Sequence, residues 1–249
     1  MKIYFASDQH FGAPNPQKSK ERELVFIQWL DTIKKDATEL FLLGDLFDFW
    51  FEYKTVVPKG FIRVLGKLAE LKDQGIKIHF FVGNHDLWMH DYFETELDIP
   101  VYHYPKKFTF NNKSFLIGHG DGLGPGDKSF KLMKRVFKNP FSKWLYRWLH
   151  PDIGVRLAQY LSLKNRYISG EEDMAFLGEE KEDLIIYCKA AYQKEKFDFF
   201  LFGHRHLPME ITIAENSKYI NTGDWISYNS YAVFDGAQLT LHNYQTHAH

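Results

Sequence analysis

Cysteine is nearly missing: the 249-residue chain holds one, Cys188. That excludes an intrachain disulfide and any multi-thiolate zinc site, and it points to a reducing compartment. Cys188 lies in the helix-like run DLIIYCKAAY, where a small buried apolar residue is the expected role. No window approaches the ~20 apolar residues that a bilayer span requires, so the chain is expected to be soluble or to lie on a membrane surface. The opening MKIYFASDQH meets charged and turn residues after a few apolar positions, and is expected to be neither signal peptide nor anchor. Internal repeats and low-complexity tracts are also missing. Charge of one sign is scarce overall, with 31 Lys and Arg against 32 Asp and Glu. The sum of −1 neither implies nor excludes a polyanionic partner, and the distribution along the chain has to decide.

What is present suffices for one large core. With 45% hydrophobic and 17% aromatic residues, residues 1–249 are expected to form one domain carrying an insertion. KIYFAS reads as a strand, and Ser19 to Lys35 as an amphipathic helix with Leu24, Ile27, Leu30 and Ile33 at helical spacing. ELFLLGD is a second strand, a helix follows from about Phe61 to Gln74 up to Gly75, and IKIHFFVGN is a third strand. KFTFNNKSFLIGHGD alternates around Asn111 and Asn112 as a hairpin does. A helix is predicted near Glu171 to Lys194, then the strand FDFFLFGHRH, then short antiparallel strands to the end. Strands alternating with helices build a sheet covered by helices, an α/β fold.

The informative regularity is where the strands stop. FASDQH, FLLGDLFD, FFVGNHD, FLIGHGD and FLFGHRH each close an apolar run on His, Asp or Asn. In open α/β sheets ligands collect beyond the carboxyl ends of strands, where loops converge on a rigid support. The residues so gathered are Asp8, His10, Asp45, Asp48, Asn84, His85, His119, Asp121, His204 and His206. Carboxylate and imidazole without thiolate suit manganese, iron(II) or zinc. Two divalent cations fit this inventory better than one, because a carboxylate such as Asp45 can bridge them. Cations ~3.5–4 Å apart clamp both the attacking and the leaving oxygen of a phosphoryl group.

These motifs resemble those of the calcineurin-like metallophosphoesterases: Asp-x-His at Asp8 to His10, Gly-Asp-x-x-Asp at Gly44 to Asp48, Gly-Asn-His-Asp at Gly83 to Asp86, Gly-His at Gly118 and His119, and Gly-His-x-His at Gly203 to His206. The resemblance implies a two-sheet β-sandwich flanked by helices. It implies one cation held by Asp8, His10, Asp45 and His206, and a second by Asp45, Asn84, His119 and His204. Such a pair brings the pKa of bound water from ~15.7 toward ~7, and the reaction needs positioned positive charge rather than a covalent nucleophile. Asp48 is expected to orient a ligand histidine or to cap a turn.

The insertion at 125–168 narrows the substrate. From Lys128 to Arg166 there are ten basic residues against Asp152 alone, a local charge of +9 that leaves −10 for the rest. Interleaved aromatic residues and leucines, broken by Pro140 and Pro151, predict two or three short basic amphipathic helices. Nucleic acid also attracts basic and aromatic residues but has less use for the leucines, so no nucleic-acid partner is expected. An ordinary helical cap packed on the domain remains the alternative.

HGDGLGPGDKSFKLMKRVFKNPFSKWLYRWL and the helices after it are similar to the lid of the UDP-2,3-diacylglucosamine pyrophosphohydrolases of lipid A synthesis. That resemblance implies cleavage of a lipid-linked nucleotide sugar to UMP and 2,3-diacylglucosamine 1-phosphate, with manganese as cofactor. It also implies a peripheral place on the anionic cytoplasmic face of an inner membrane, and no obligate protein partner. By position in the motif, Asp127 matches a substrate-contacting acid, with Asn165 and Arg166 beside it and with Asn84, His85 and His204 from the rim. The best-known members have arginine after the motif asparagine, whereas this chain has His85. Histidine there is placed to protonate a leaving oxygen or to stabilise the phosphoryl group. Two rivals stand beside this reading: a soluble phosphoesterase or phosphodiesterase acting on another nucleotide or diphosphate, and a metal-free scaffold. His79, His90, His103, His150, His242, His247 and His249 fall outside the five strand endings. NTGDW (Asn221 to Trp225) is read as a lining of the cleft, and Phe49 to Gly60 as either pocket or core-capping loop.

Overall fold

A computed structural model describes residues 1–126, 128–169 and 175–245. The first sheet takes β1 (Lys2–Ala6), β2 (Ala37–Leu42), β3 (Lys77–Phe81) and β4 (Val101–Tyr102), with α1 (Pro16–Ile33), α2 (Ile62–Asp73) and α3 (Tyr92–Leu97) between them. The second sheet takes β5 (Lys106–Phe110), β6 (Lys113–Ile117), β7 (Phe199–Phe202), β8 (Pro208–Ala214) and β9 (Ser217–Thr222). Between β6 and β7 come α4 (Lys128–Lys138), α5 (Pro140–Arg147), α6 (Pro151–Ser169) and α7 (Asp183–Lys194). The chain then returns to the first sheet with β10 (Ser230–Phe234) and β11 (Leu239–Asn243). The strand orders are β11-β10-β1-β2-β3-β4 and β5-β6-β7-β9-β8.

Period-two alternation decides the layers. Ile3 and Phe5 of β1 face Phe115 and Ile117 of β6 and Leu201 of β7 across the sandwich, in a buried cluster that Phe41, Phe81 and Phe234 complete. Tyr4 and Ala6 point the other way, onto Phe26, Trp29 and Leu30 of α1 and Leu68 of α2. On the opposite outer face Leu116, Phe200 and Phe202 pack on Leu184, Ile185 and Cys188 of α7. Cys188 is fully buried, and burial pushes its thiol pKa up. This is the expected two-sheet sandwich with helices outside.

Differences lie mainly at element ends. α1 starts earlier than predicted, because the Asn15 side chain accepts a hydrogen bond from Lys18 N at 3.0 Å and Pro16 presets the first turn. The helix expected from Glu171 starts at Asp183, and residues 171–174 of that span lie outside the described residues. Gly178 takes φ +93, and the Glu182 carboxylate binds the Arg205 guanidinium instead of extending a helix. In the insertion the prolines open helices: Asn139 caps α5 just before Pro140, and Pro151 begins α6. Asn111 and Asn112, at φ 45 and 62, make the hairpin turn of β5 and β6.

Asp198, just before β7, ties the two parallel strands β6 and β7. Its carboxylate accepts from Ser114 N (2.8 Å), Ser114 Oγ (2.9 Å) and Lys113 Nζ (2.9 Å). Burial opposes its ionisation, but these donors hold its pKa below the ordinary value. A depressed folded pKa stabilises the fold above the unfolded value and is lost as pH falls through the folded one. Asp198→Ala is therefore expected to destabilise by about 1–3 kcal/mol at neutral pH. Urea melts should show that difference shrinking below pH ~4; an unchanged difference in acid would contradict the assignment.

Candidate metal centre at the sandwich rim

β1, β2 and β3 run parallel in one sheet, and β6, β7 and β9 in the other. Their carboxyl ends open on the same rim. The turns there are tight: Asp8, His10, Asp45, His204 and His206 all take positive φ, between 47 and 72. Each such conformation costs an L-residue about 1 kcal/mol or more, and the clustering of five at one rim marks a site where orientation outweighs that cost. Glycine makes room around them. A Cβ on Gly83 would lie 2.7 Å from Asp45 Cγ, and one on Gly44 2.6 Å from His119 Nδ1.

The two carboxylates at the centre are anchored in the same way. Asp8 Oδ2 accepts from His204 N at 2.9 Å, and Asp45 Oδ1 accepts from His85 N at 2.8 Å. Their second oxygens face imidazoles. Asp8 Oδ1 lies 3.7 Å from His10 Nε2 and 3.5 Å from His206 Nε2, while Asp45 Oδ2 lies 3.7 Å from His10 Nε2 and 3.4 Å from His119 Nε2. His10 Nε2 and His206 Nε2 converge to 3.2 Å. Asn84 Oδ1 sits 3.1 Å from His119 Nε2, and the His204 ring lies beside that of His119 with centroids 5.2 Å apart.

Charge explains what this arrangement can bind. Burial would raise Asp8, yet His206, His10 and His119 hold it at about 2, and Asp45 is likewise well below its ordinary value. Burial would strip the proton from His119, yet Asp45, Asp8 and Asp121 raise it to about 10. His204 instead falls to about 4, through burial and the nearby charge of His119. Two buried carboxylates thus demand positive charge, and a divalent cation meets that demand better than a single proton. Asp8 Oδ1 is fully buried without a hydrogen-bond partner, as an oxygen aimed at a cation is. Among the described residues, Asp8–His10–His206, Asp8–Asp45–His119 and His10–Asp45–His85 each bring ligand atoms within 4.8 Å of one another. Asp45 contributes to two of these groups, the placement a bridging ligand needs. The donor set fits two cations.

Supporting contacts come from the last residues of two motifs and from outside them. Asp48 Oδ1 lies 3.4 Å from His10 Nδ1, and the Asp48 carbonyl lies 3.0 Å from His85 Nδ1. Asp86 accepts from Gly83 N and Leu46 N (2.7 and 3.0 Å) and locks the two rim loops together; burial and the Asp45 charge raise its pKa to about 8. Asp121 does not join the cluster, because Lys134 of α4 pairs with it. Asp127 lies outside the described residues, as do the side chains of Asn165 and Arg166. Two supports were not foreseen in these roles: the stretch NTGDW was read only as a cleft lining, and Arg22 was not singled out. Asp224, within NTGDW at the end of β9, stands 3.2 Å from His206 Nδ1 and fixes that ring. Its signal was present, since β9 also ends in Gly-Asp. Arg22 of α1 donates to the carbonyls of Gln9, His10 and Ala13 at 2.5–2.6 Å, holding the loop after β1. A helix arginine gives no sign of this in sequence. Phe49, Phe51 and Trp88 meet Tyr146 of α5, so the loop left open as pocket or cap seats the inserted helices.

A family model described as calcineurin-like phosphoesterase matches residues 1–208. The chain belongs to that family. It is 40% identical over 253 residues, covering 96% of each chain, to a UDP-2,3-diacylglucosamine hydrolase of Porphyromonas gingivalis. It is 24% identical to proteins of the same description from Actinobacillus succinogenes and Shewanella pealeana, covering 90% and 92% of this chain and 92% of each of theirs.

Gly83→Ala should disturb the rim in a defined way. The methyl must displace both the Asp45 carboxylate and its backbone nitrogen, which a Cβ would meet at 2.7 Å, and a shift near 1 Å costs roughly 100-fold in rate. Phosphoesterase activity on an aryl phosphodiester should fall by about that factor with circular dichroism unchanged. Gly66→Ala, in α2 with open space around it, should leave activity intact.

Proposed function

We propose that this phosphoesterase hydrolyses the diphosphate of UDP-2,3-diacylglucosamine to UMP and 2,3-diacylglucosamine 1-phosphate, at a centre of two divalent cations, manganese by preference. The observation that carries the substrate is 40% identity, over 96% of the chain, to a relative described as acting on that compound. In this reading Asp8, His10, Asp45 and His206 hold one cation, and Asp45, Asn84, His119 and His204 the other. When bound, the cations supply Lewis acidity toward water and the phosphoryl oxygens. The oxygen and nitrogen donors, with no thiolate, favour manganese over softer metals.

The chain's own groups do the rest. Asp48 and Asp224 orient the imidazoles of His10 and His206. His85, with an imidazole nitrogen near Asp45 and His10, carries the proton that the leaving oxygen requires. Asn84 and His204 meet the phosphoryl group from the rim, and Asp127, Asn165 and Arg166 meet the substrate from the insertion.

Residues 125–168 act as a lid over this one domain, 1–249. Their helices present Leu132, Phe141, Trp144, Trp148, Ile153 and Leu161 to solvent, Trp148 at 75% exposure, among the +9 of basic charge. Apolar residues at that density suit acyl chains, and the cations suit anionic headgroups. None of the described helices is long and apolar enough to cross a membrane. Peripheral attachment at the cytoplasmic face of an inner membrane follows from the reading. It involves no nucleic acid and no obligate protein partner.

The second reading, a soluble phosphodiesterase of another nucleotide or diphosphate, rests on His85 in place of arginine. Parallel assays of UDP-2,3-diacylglucosamine and an aryl phosphodiester with manganese should show UMP released from the lipid. Turnover of the aryl ester alone would remove the lipid substrate. Metal analysis after manganese loading is expected to return about two equivalents per chain, and Asp45→Ala should abolish both activities. Less than about one equivalent would favour a metal-free scaffold.

A further inference from the structure

Ser162 belongs to α6, within the basic insertion, yet its hydroxyl reaches the rim. Oγ donates to Asp48 Oδ2 at 2.9 Å and lies 3.2 Å from His85 Nδ1. A hydroxyl has one proton to give, and a carboxylate only accepts, so that proton goes to Asp48. Oγ is then an acceptor toward His85. Among the described residues, the Asp48 carbonyl at 3.0 Å and Asp48 Oδ1 at 3.6 Å also stand beside that ring nitrogen. The Nδ1 edge of the His85 ring is thus held by groups from both the core and the insertion. Asp48 Oδ1 in turn stands 3.4 Å from His10 Nδ1. One hydroxyl from the insertion thus touches both His85 and the carboxylate that stands beside His10.

We propose that Ser162 is a positioning residue, through which the seating of α6 sets the orientation of the His85 ring. The proposal rests on the reading that His85 serves the phosphoryl group. The core supplies Asp48 and His85, and the insertion supplies the donor and acceptor that complete their geometry. Ser162 in this way links recognition by the insertion to chemistry at the rim.

A double-mutant cycle tests the link, using Ser162→Ala, Ser162→Thr, His85→Ala and the double variant Ser162→Ala/His85→Ala, each loaded with manganese. The substrate is whichever of UDP-2,3-diacylglucosamine and the aryl phosphodiester the unmodified protein turns over. Ser162→Ala should lower kcat by about 10- to 100-fold with KM changed less than about threefold, as loss of a supporting contact does. Ser162→Thr, which keeps the hydroxyl, should recover most of that loss. In the His85→Ala background the serine substitution should change kcat by less than about twofold, the result that action through His85 requires. Multiplicative losses, a defect confined to KM, or a Ser162→Ala rate equal to that of the unmodified protein would each overturn the proposal. Hydrolysis of the aryl ester alone would discard the lipid reading while leaving the cycle on that ester as an independent test.

Discussion

The structure depends on one electrostatic constraint: Asp8 and Asp45, at the ends of neighbouring parallel strands, are buried as carboxylates within reach of the same imidazoles. Removing such a charge from water costs several kcal/mol per ion unless it is compensated. The compensation comes from convergence. Backbone amides of His204 and His85 each take one oxygen, and the remaining oxygens meet His10, His119 and His206, drawn from both sheets. Parallel order within each sheet is what makes this geometry available, since it puts the carboxyl ends of β1, β2, β3, β6, β7 and β9 on one side.

The apolar sandwich and the polar rim are parts of one arrangement. Aromatic residues such as Phe5, Phe41, Phe81 and Phe115 pack between the sheets and hold the strand ends at fixed separation. Beyond them, positive φ at five rim residues re-aims the side chains from the sheet faces into the cleft. Strain of that kind persists only where packing over-determines it. Arg22 from α1, Asp86 between two loops and Asp224 after β9 fix the backbone or rings of the residues that face the cleft. The inserted helices are seated differently, on an aromatic patch of Phe49, Phe51 and Trp88 against Tyr146, and by lysines on rim carbonyls. That leaves much of their apolar surface outward.

Much was legible because the residues carrying the chemistry are also those that interrupt a strand's periodicity. An apolar run ending on Gly-Asp, Gly-Asn-His or Gly-His-x-His betrays a strand, its end and its donors at once, so the rim residues could be read early; periodicity alone gave a sheet covered by helices, and the two-sheet sandwich was what the family resemblance implied. Cys188 was legible for the complementary reason: its neighbours repeat at helical spacing and place it inward. Helix boundaries were less so. Asn15 and Pro16 moved one start forward, and the Arg205–Glu182 pair with Gly178 held another back to Asp183. Asp121, which looks like its companions in sequence, is diverted to Lys134 of α4, the helix that follows it.

The sequence by itself therefore determined the inventory: which strands exist, which donors they end on, and how much positive charge and apolar surface the insertion carries. Periodicity and local turn chemistry need no knowledge of distant neighbours. Only the tertiary structure decided partnership, as when Asp224 rather than any motif residue steadied His206, Arg22 gripped the loop after β1, and Ser162 of α6 reached Asp48 and His85. Those contacts join residues 9 to 114 positions apart. Their formation depends on how sheets and helices pack, a global outcome that no local pattern encodes.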